Sequence, residues 1–230
     1  MTEQTGLGVY AEVLNNSTPE QEFNAIEGLL PADANRTRNA ITRALANTRA
    51  EVNGTVHAVG QLRANDMIPK DARDRLIAER FEQAERVVDE QIRNADAATT
   101  ILDAQLSMAA LAPVGDAFLA RADAQMILDN TPPARLDEVM ARLARRQDDV
   151  GALVASPWAR DYLAARGVEP DLVDAIHTGV VESHVDAQTG SSDSGRAAAA
   201  RHRQGIVHLR QARDVVFNTA RMMLEELRGA

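Results

Sequence analysis

Between Asp33 and Ala64 the positions Ile41, Leu45, Thr48, Val52, Thr55, Val59 and Leu62 fall alternately four and three residues apart. That spacing puts them on one face of a helix, so it predicts a long helix with a heptad seam in which two threonines stand among hydrophobes. The turn Asn65-Asp66-Met67-Ile68-Pro69 follows, and Pro69 stops the helix from continuing. A second long helix is predicted from Lys70 to Leu111, with Ile77, Phe81, Ala84, Val88, Ala95, Ala98 and Leu102 on one stripe. The short connection makes the two helices antiparallel neighbours, a helical hairpin over 33–112. Val87, Ile92 and Leu106 lie beside the main stripe. They widen it beyond a two-stranded seam and are therefore expected to meet later helices or another subunit.

Elsewhere the chain is punctuated. Proline sits near a first helical position at Ser17-Thr18-Pro19, Thr131-Pro132-Pro133, Ser156-Pro157 and Glu169-Pro170, and three of these carry Ser or Thr ahead of it as a cap. Gly167 and Gly190 stand where helices would end. These signals predict a short helix at about 18–29 within an N-terminal segment 1–32, and a cluster of short helices over 113–188. Segment 189–195, TGSSDSG, reads as a flexible linker. After it, 196–230 reads as a long helix holding Gly205. Its stripe of Ile206, Leu209, Val216, Ala220, Met223 and Leu227 is broken by Arg213. The expected fold is all-α.

Composition sharpens this picture. Only 3% of residues are aromatic, which suits long helices with narrow seams better than a thick core. Lys70 is the only lysine, so Schiff-base and lysine-base chemistry have almost no candidate. There is no cysteine, hence no disulfide, no thiolate nucleophile and no cysteine zinc site. The net charge of −9 does not favour nucleic acid or an anionic membrane. The first residues, MTEQTGLGVYAEV, lack the layout of a signal peptide, and no run of eighteen apolar residues exists to cross a membrane.

Candidate chemistry is sparse. His177 and His184 lie seven residues apart, with Asp174 and Glu182 nearby. A helical metal pair needs a spacing of four, and helical side chains lean the same way, so these two do not converge on one ion. With Val173 and Val180 they read as the edge of an apolar stripe. The carboxylates of FEQAERVVDEQI alternate with arginines at helical spacing and read as a solvated face. TGLGVY lacks the third glycine of a phosphate-binding loop, and Arg145-Arg146 read as polar-face residues. No catalytic residue, cofactor site or metal site is expected.

Charge and aromatic placement point instead to contacts. From Gly167 to Gly195 there are six acids and no Lys or Arg; from Arg196 to Arg213 there are five arginines and no acid. The two blocks could attract each other, or Arg201, Arg203 and Arg210 could dock the terminal helix on an acidic partner, with Met223 and Leu227 holding it. The block has no aromatic residue for base stacking. Trp158 and Tyr162 share one helical face, as core or as interface anchors.

The stretch NDMIPKDARDRLIAERFEQAERVVDEQI resembles the Ala/Arg/Glu-rich hairpins of tailed-bacteriophage structural proteins. An acidic helical body with a basic C-terminal helix is similar to phage scaffolding proteins, which hold coat protein by such an end. The resemblance implies a non-enzymatic virion component of minor capsid, connector or scaffold type. Its partners would be itself or other subunits of a large assembly, in the virion or the bacterial host cytoplasm. The alternative is a bacterial coiled-coil adaptor or regulatory module that binds one partner through its C-terminal helix.

Overall fold

The computed structural model describes residues 10–12, 14 and 32–229. The fold is all-α, with no strand among the described residues. The helices are α1 (Ala32–Ala64), α2 (Lys70–Ala110), α3 (Ala117–Asp129), α4 (Leu136–Ala144), α5 (Asp149–Val154), α6 (Trp158–Ala165), α7 (Pro170–Ala187) and α8 (Ser194–Gly229). Short 3-10 turns occupy Pro133–Arg135 and Gln188–Gly190. The helix expected at 18–29 lies outside the described residues.

The chain divides into two compact units, Met1–Leu102 with Ile206–Ala230, and Asp103–Gly205. This differs from the sequence-based boundaries at 112 and 196, because both division points fall inside helices. A continuous helical backbone leaves no mark in the sequence where its side chains change neighbours.

In the first unit the seams are buried as their spacing predicts except beside the turn, where Leu62 and Ile77 are half-buried. Ile41, Leu45, Thr48, Val52, Thr55 and Val59 of α1 are enclosed, as are Phe81, Ala84, Val88, Ala95, Ala98 and Leu102 of α2. The seam threonines satisfy their hydroxyls within their own helices: Thr48 donates to the Ala44 carbonyl at 2.9 Å and Thr55 to that of Glu51 at 2.8 Å. Cross-helix pairs give the directions. Asn47 meets Gln91 and Glu51 meets Arg80, so α1 and α2 are antiparallel. Arg213, Arg221 and Arg228 of α8 meet Asp96, Asp89 and Glu85 in reverse order along α2. Arg63 donates to the Leu227 carbonyl at 2.8 Å, so the ends of α1 and α8 coincide. The second part of α8 is therefore the third helix of the hairpin.

That placement corrects two expected contact positions. Met223 and Leu227 are buried inside the unit rather than offered to a partner, because the α8 stripe closes the hairpin's own seam. Arg213, the break in that stripe, is buried too. Its guanidinium bonds Thr99 Oγ1 at 3.0 Å and pairs with Asp96 at 2.9 Å and Asp214 at 2.8 Å, so the interruption is satisfied.

In the second unit α7 packs most extensively on α4, and α5 on α3 and α4; α6 lies against α7. Gly167 at φ 76° closes α6: its N–H bonds the Ala164 carbonyl, and the Val168 N–H reaches back to Leu163. This is a Schellman cap, from which Pro170 starts α7. Segment 189–195 is not a tether in the structure. It holds a 3-10 turn and then the start of α8, whose first turn is capped by Asp193 accepting from the Arg196 N–H at 3.0 Å. Serine and aspartate serve linkers and helix caps alike, which is why the composition misleads here.

Gly151 supplies a direct test of this packing. A Cβ there would sit 2.0 Å from the Arg146 carbonyl oxygen, a backbone atom with no freedom to turn away. Gly151→Ala is expected to destabilise the protein in urea unfolding by about 2–3 kcal/mol. Gly179→Ala, with nothing within 4 Å of the new methyl, should stabilise it by up to about 1 kcal/mol. Equal effects from the two substitutions would contradict the packing.

Candidate interaction surfaces

α3 is held by a chain of caps. The two carboxylate oxygens of Asp149 accept from the Gly115 and Asp116 N–H groups at 2.8 and 2.9 Å. These two bonds, that to Asp116 foremost, hold the Asp149 carboxyl below its usual range. Asp116, positioned in this way, caps α3 by accepting from the Phe118 and Leu119 N–H groups. At the far end Asp129 accepts from the Tyr162 hydroxyl at 2.7 Å and pairs with Arg166 at 3.3 Å. Burial first, then Asp129, pushes the Tyr162 hydroxyl up to about 12.

Such anchoring fixes which faces of α3 point where. Ala120, Ala124 and Leu128 are buried in the core of the second unit. On a helical wheel Phe118, Leu119, Ala122 and Met126 fill the opposite arc, with Gln125 at its edge, and all five are exposed. Phe118 is 85% exposed, Met126 64% and Leu119 59%. α3 is thus apolar on both sides, with one side covered. These residues escaped the heptad reading, which seeks one stripe per helix. The signal was available in AFLARADAQMILD, whose apolar positions fall on both sides of the wheel.

A second apolar surface lies between α4 and α7. A groove of about 450 Å³ runs past Leu172, Ile176 and Gly179 on α7 and Ala141 on α4, with Asp137 and Glu138 on its rim. Leu172 is 53% exposed, and the space above Gly179 is open.

The residues expected at interfaces distribute differently. Leu106 and Tyr162 are buried; both belong to the interior, and this corrects their assignment as contact residues. Trp158 is half-buried against the same core, its ring 5.2 Å from that of Tyr162. Val87, Ile92 and Arg210 are half-buried. Arg203 pairs with Asp103 at 3.2 Å and Glu182 at 3.5 Å, and Arg201 donates to the Thr189 carbonyl at 3.2 Å. Of the two roles open to the basic block, attraction to the preceding acids is the one the Arg203–Glu182 pair displays.

The histidines are separated by their partners. His184 is fully buried rather than at an edge: Nδ1 donates to the Ala144 carbonyl at 2.7 Å, leaving Nε2 to accept from Gln188 at 3.3 Å. His177 lies 3.2 Å from the Ser156 carbonyl through Nε2. Among the described residues no three His, Asp or Glu side chains gather as a metal site, and no helix is long and apolar enough to cross a membrane. No family model, curated protein or solved structure matches the chain.

Burial lowers the His184 pKa; the bond to Ala144 opposes this more weakly, and the nearby charge of Arg196 adds to the lowering. His177 and His202 are lowered too, chiefly by burial. A histidine whose folded pKa is depressed takes up its proton first in the unfolded chain. Stability should therefore be full above about pH 6.5 and fall on acidification below it. Urea unfolding between pH 7 and 5 should show a shallower fall in His184→Gln than in the parent; identical slopes would contradict the assignment.

Proposed function

We infer that this chain is a non-enzymatic structural or assembly protein that works through multivalent helix-mediated contacts. The kind of assembly is that of a tailed-phage virion component of minor capsid, connector or scaffold type. One observation carries the reading: α3 keeps an outward arc of large apolar side chains on a helix whose other face is already in the core. Surface hydrophobes scattered singly need no partner, but a contiguous arc on a rigidly capped helix does. Phe118 alone exposes on the order of 150 Å² of side chain, in a chain that has four phenylalanines.

The adaptor alternative and the scaffold type both hold a partner through the C-terminal helix. Arg203, Arg213, Arg221 and Arg228 are all paired within the chain, which takes support from both.

Sedimentation velocity of the purified protein from micromolar to near-millimolar concentration tests the assembly reading. The mean mass should climb with concentration and reach species larger than a dimer. A monomer throughout would overturn it. Coat, portal or tail genes flanking the coding sequence would support the virion part, and unrelated metabolic neighbours would count against it.

A further inference from the structure

We propose that the outward face of α3 in one copy docks into the α4–α7 groove of a second copy, so that copies associate head to tail. This rests on the assembly reading above and names its surface and its partner. Both surfaces belong to the compact unit Asp103–Gly205. Both remain exposed when that unit is folded, so each must be covered, if at all, by something outside it. One contact between two copies covers the knob of one and the groove of the other.

Shape and charge favour this pairing. The groove floor is low at Gly179, where no atom lies within 4 Å of a would-be side chain, whereas α3 projects Phe118, Leu119 and Met126. Large side chains on one helix entering a gap left by small ones on another is the ordinary way helices pack. Asp137 and Glu138 are the only ionisable groups lining the groove among the described residues; Glu138 also meets the exposed Arg135 at 3.2 Å. The α3 arc is flanked by Arg121 on one edge and Asp123 on the other, both exposed, and Arg121 forms no ion pair among the described residues. Docked with its Arg121 edge toward Asp137 and Glu138, the helix brings positive charge to the acidic rim and turns Asp123 away from it.

Pairing α3 with its own copy fits less well. In an antiparallel pair about Ala122, two-fold symmetry sets each Arg121 on the same edge as the other, and each Asp123 likewise, so like charges face each other. Any α3–α3 pair also leaves the α4–α7 groove open. A head-to-tail contact is heterologous, so it propagates into a ring or an open chain rather than stopping at two copies.

Complementary variants test it. Phe118→Asp spoils the knob at an exposed position and keeps the groove; Gly179→Glu fills the groove at an open position and keeps the knob. Circular dichroism should show both folded as the parent. Each variant alone should sediment as a monomer, with self-association weakened at least about tenfold. Mixed, they should form one 1:1 complex and nothing larger, since only one productive knob and groove remain. Association lost in Phe118→Asp, unchanged in Gly179→Glu and not restored by mixing would mean α3 pairs with itself, and would overturn the proposal. Parent association untouched by either variant would overturn it while leaving the assembly reading standing. A parent that is monomeric at every concentration would remove both.

Discussion

The organising constraint of this molecule is the narrowness of its apolar seams. With few aromatic residues and much alanine, each long helix buries one stripe and must leave the remainder of its surface wet. Ala84, Ala95, Ala98 and Ala220 let helices approach closely but give little shape by which one register differs from the next. The first unit therefore relies on its edges. Arginines of α8 reach three separate carboxylates of α2, and Arg80 reaches Glu51 across the hairpin. The outer pairs of Arg221 and Arg228 add little stability each, but with the more buried pairs of Arg213 and Arg80 they form a ladder that distinguishes the observed register from a slipped one.

Arginine is suited to that role. Its side chain is long, always charged and able to bond in a fork, so it can lie along an apolar seam and still reach a carboxylate. Arg213 shows the extreme, with its guanidinium buried in the seam and satisfied by Thr99, Asp96 and Asp214. In the second unit Arg203 joins Asp103 to Glu182 in the same manner. The terminal helix is thus tied to the rest of its own chain by its arginines.

Much of the fold was legible in the sequence, because burial on a helix imposes a period. Ile41 through Val59 and Phe81 through Leu102 could be named as core from spacing alone. Three things were not legible, each for a physical reason. TGSSDSG looks the same whether Asp193 floats or caps a helix. Leu106 and Tyr162 could not be told from contact residues, since periodicity shows that a face is apolar but not what covers it. For the same reason α3 concealed its outward arc: Phe118 and Met126 stand out only once Ala120, Ala124 and Leu128 are seen to be the side in use.

If copies associate as proposed, the outward face of α3 is covered when they meet. Absence of cysteine allows a clean measurement, because one introduced thiol is the only one to react. The labelling rate of Leu119→Cys, on the exposed arc, should slow as protein concentration rises, while that of Ala164→Cys, exposed on α6, stays constant. A Leu119→Cys rate independent of concentration, in protein that sedimentation shows to be associated, would contradict the claim.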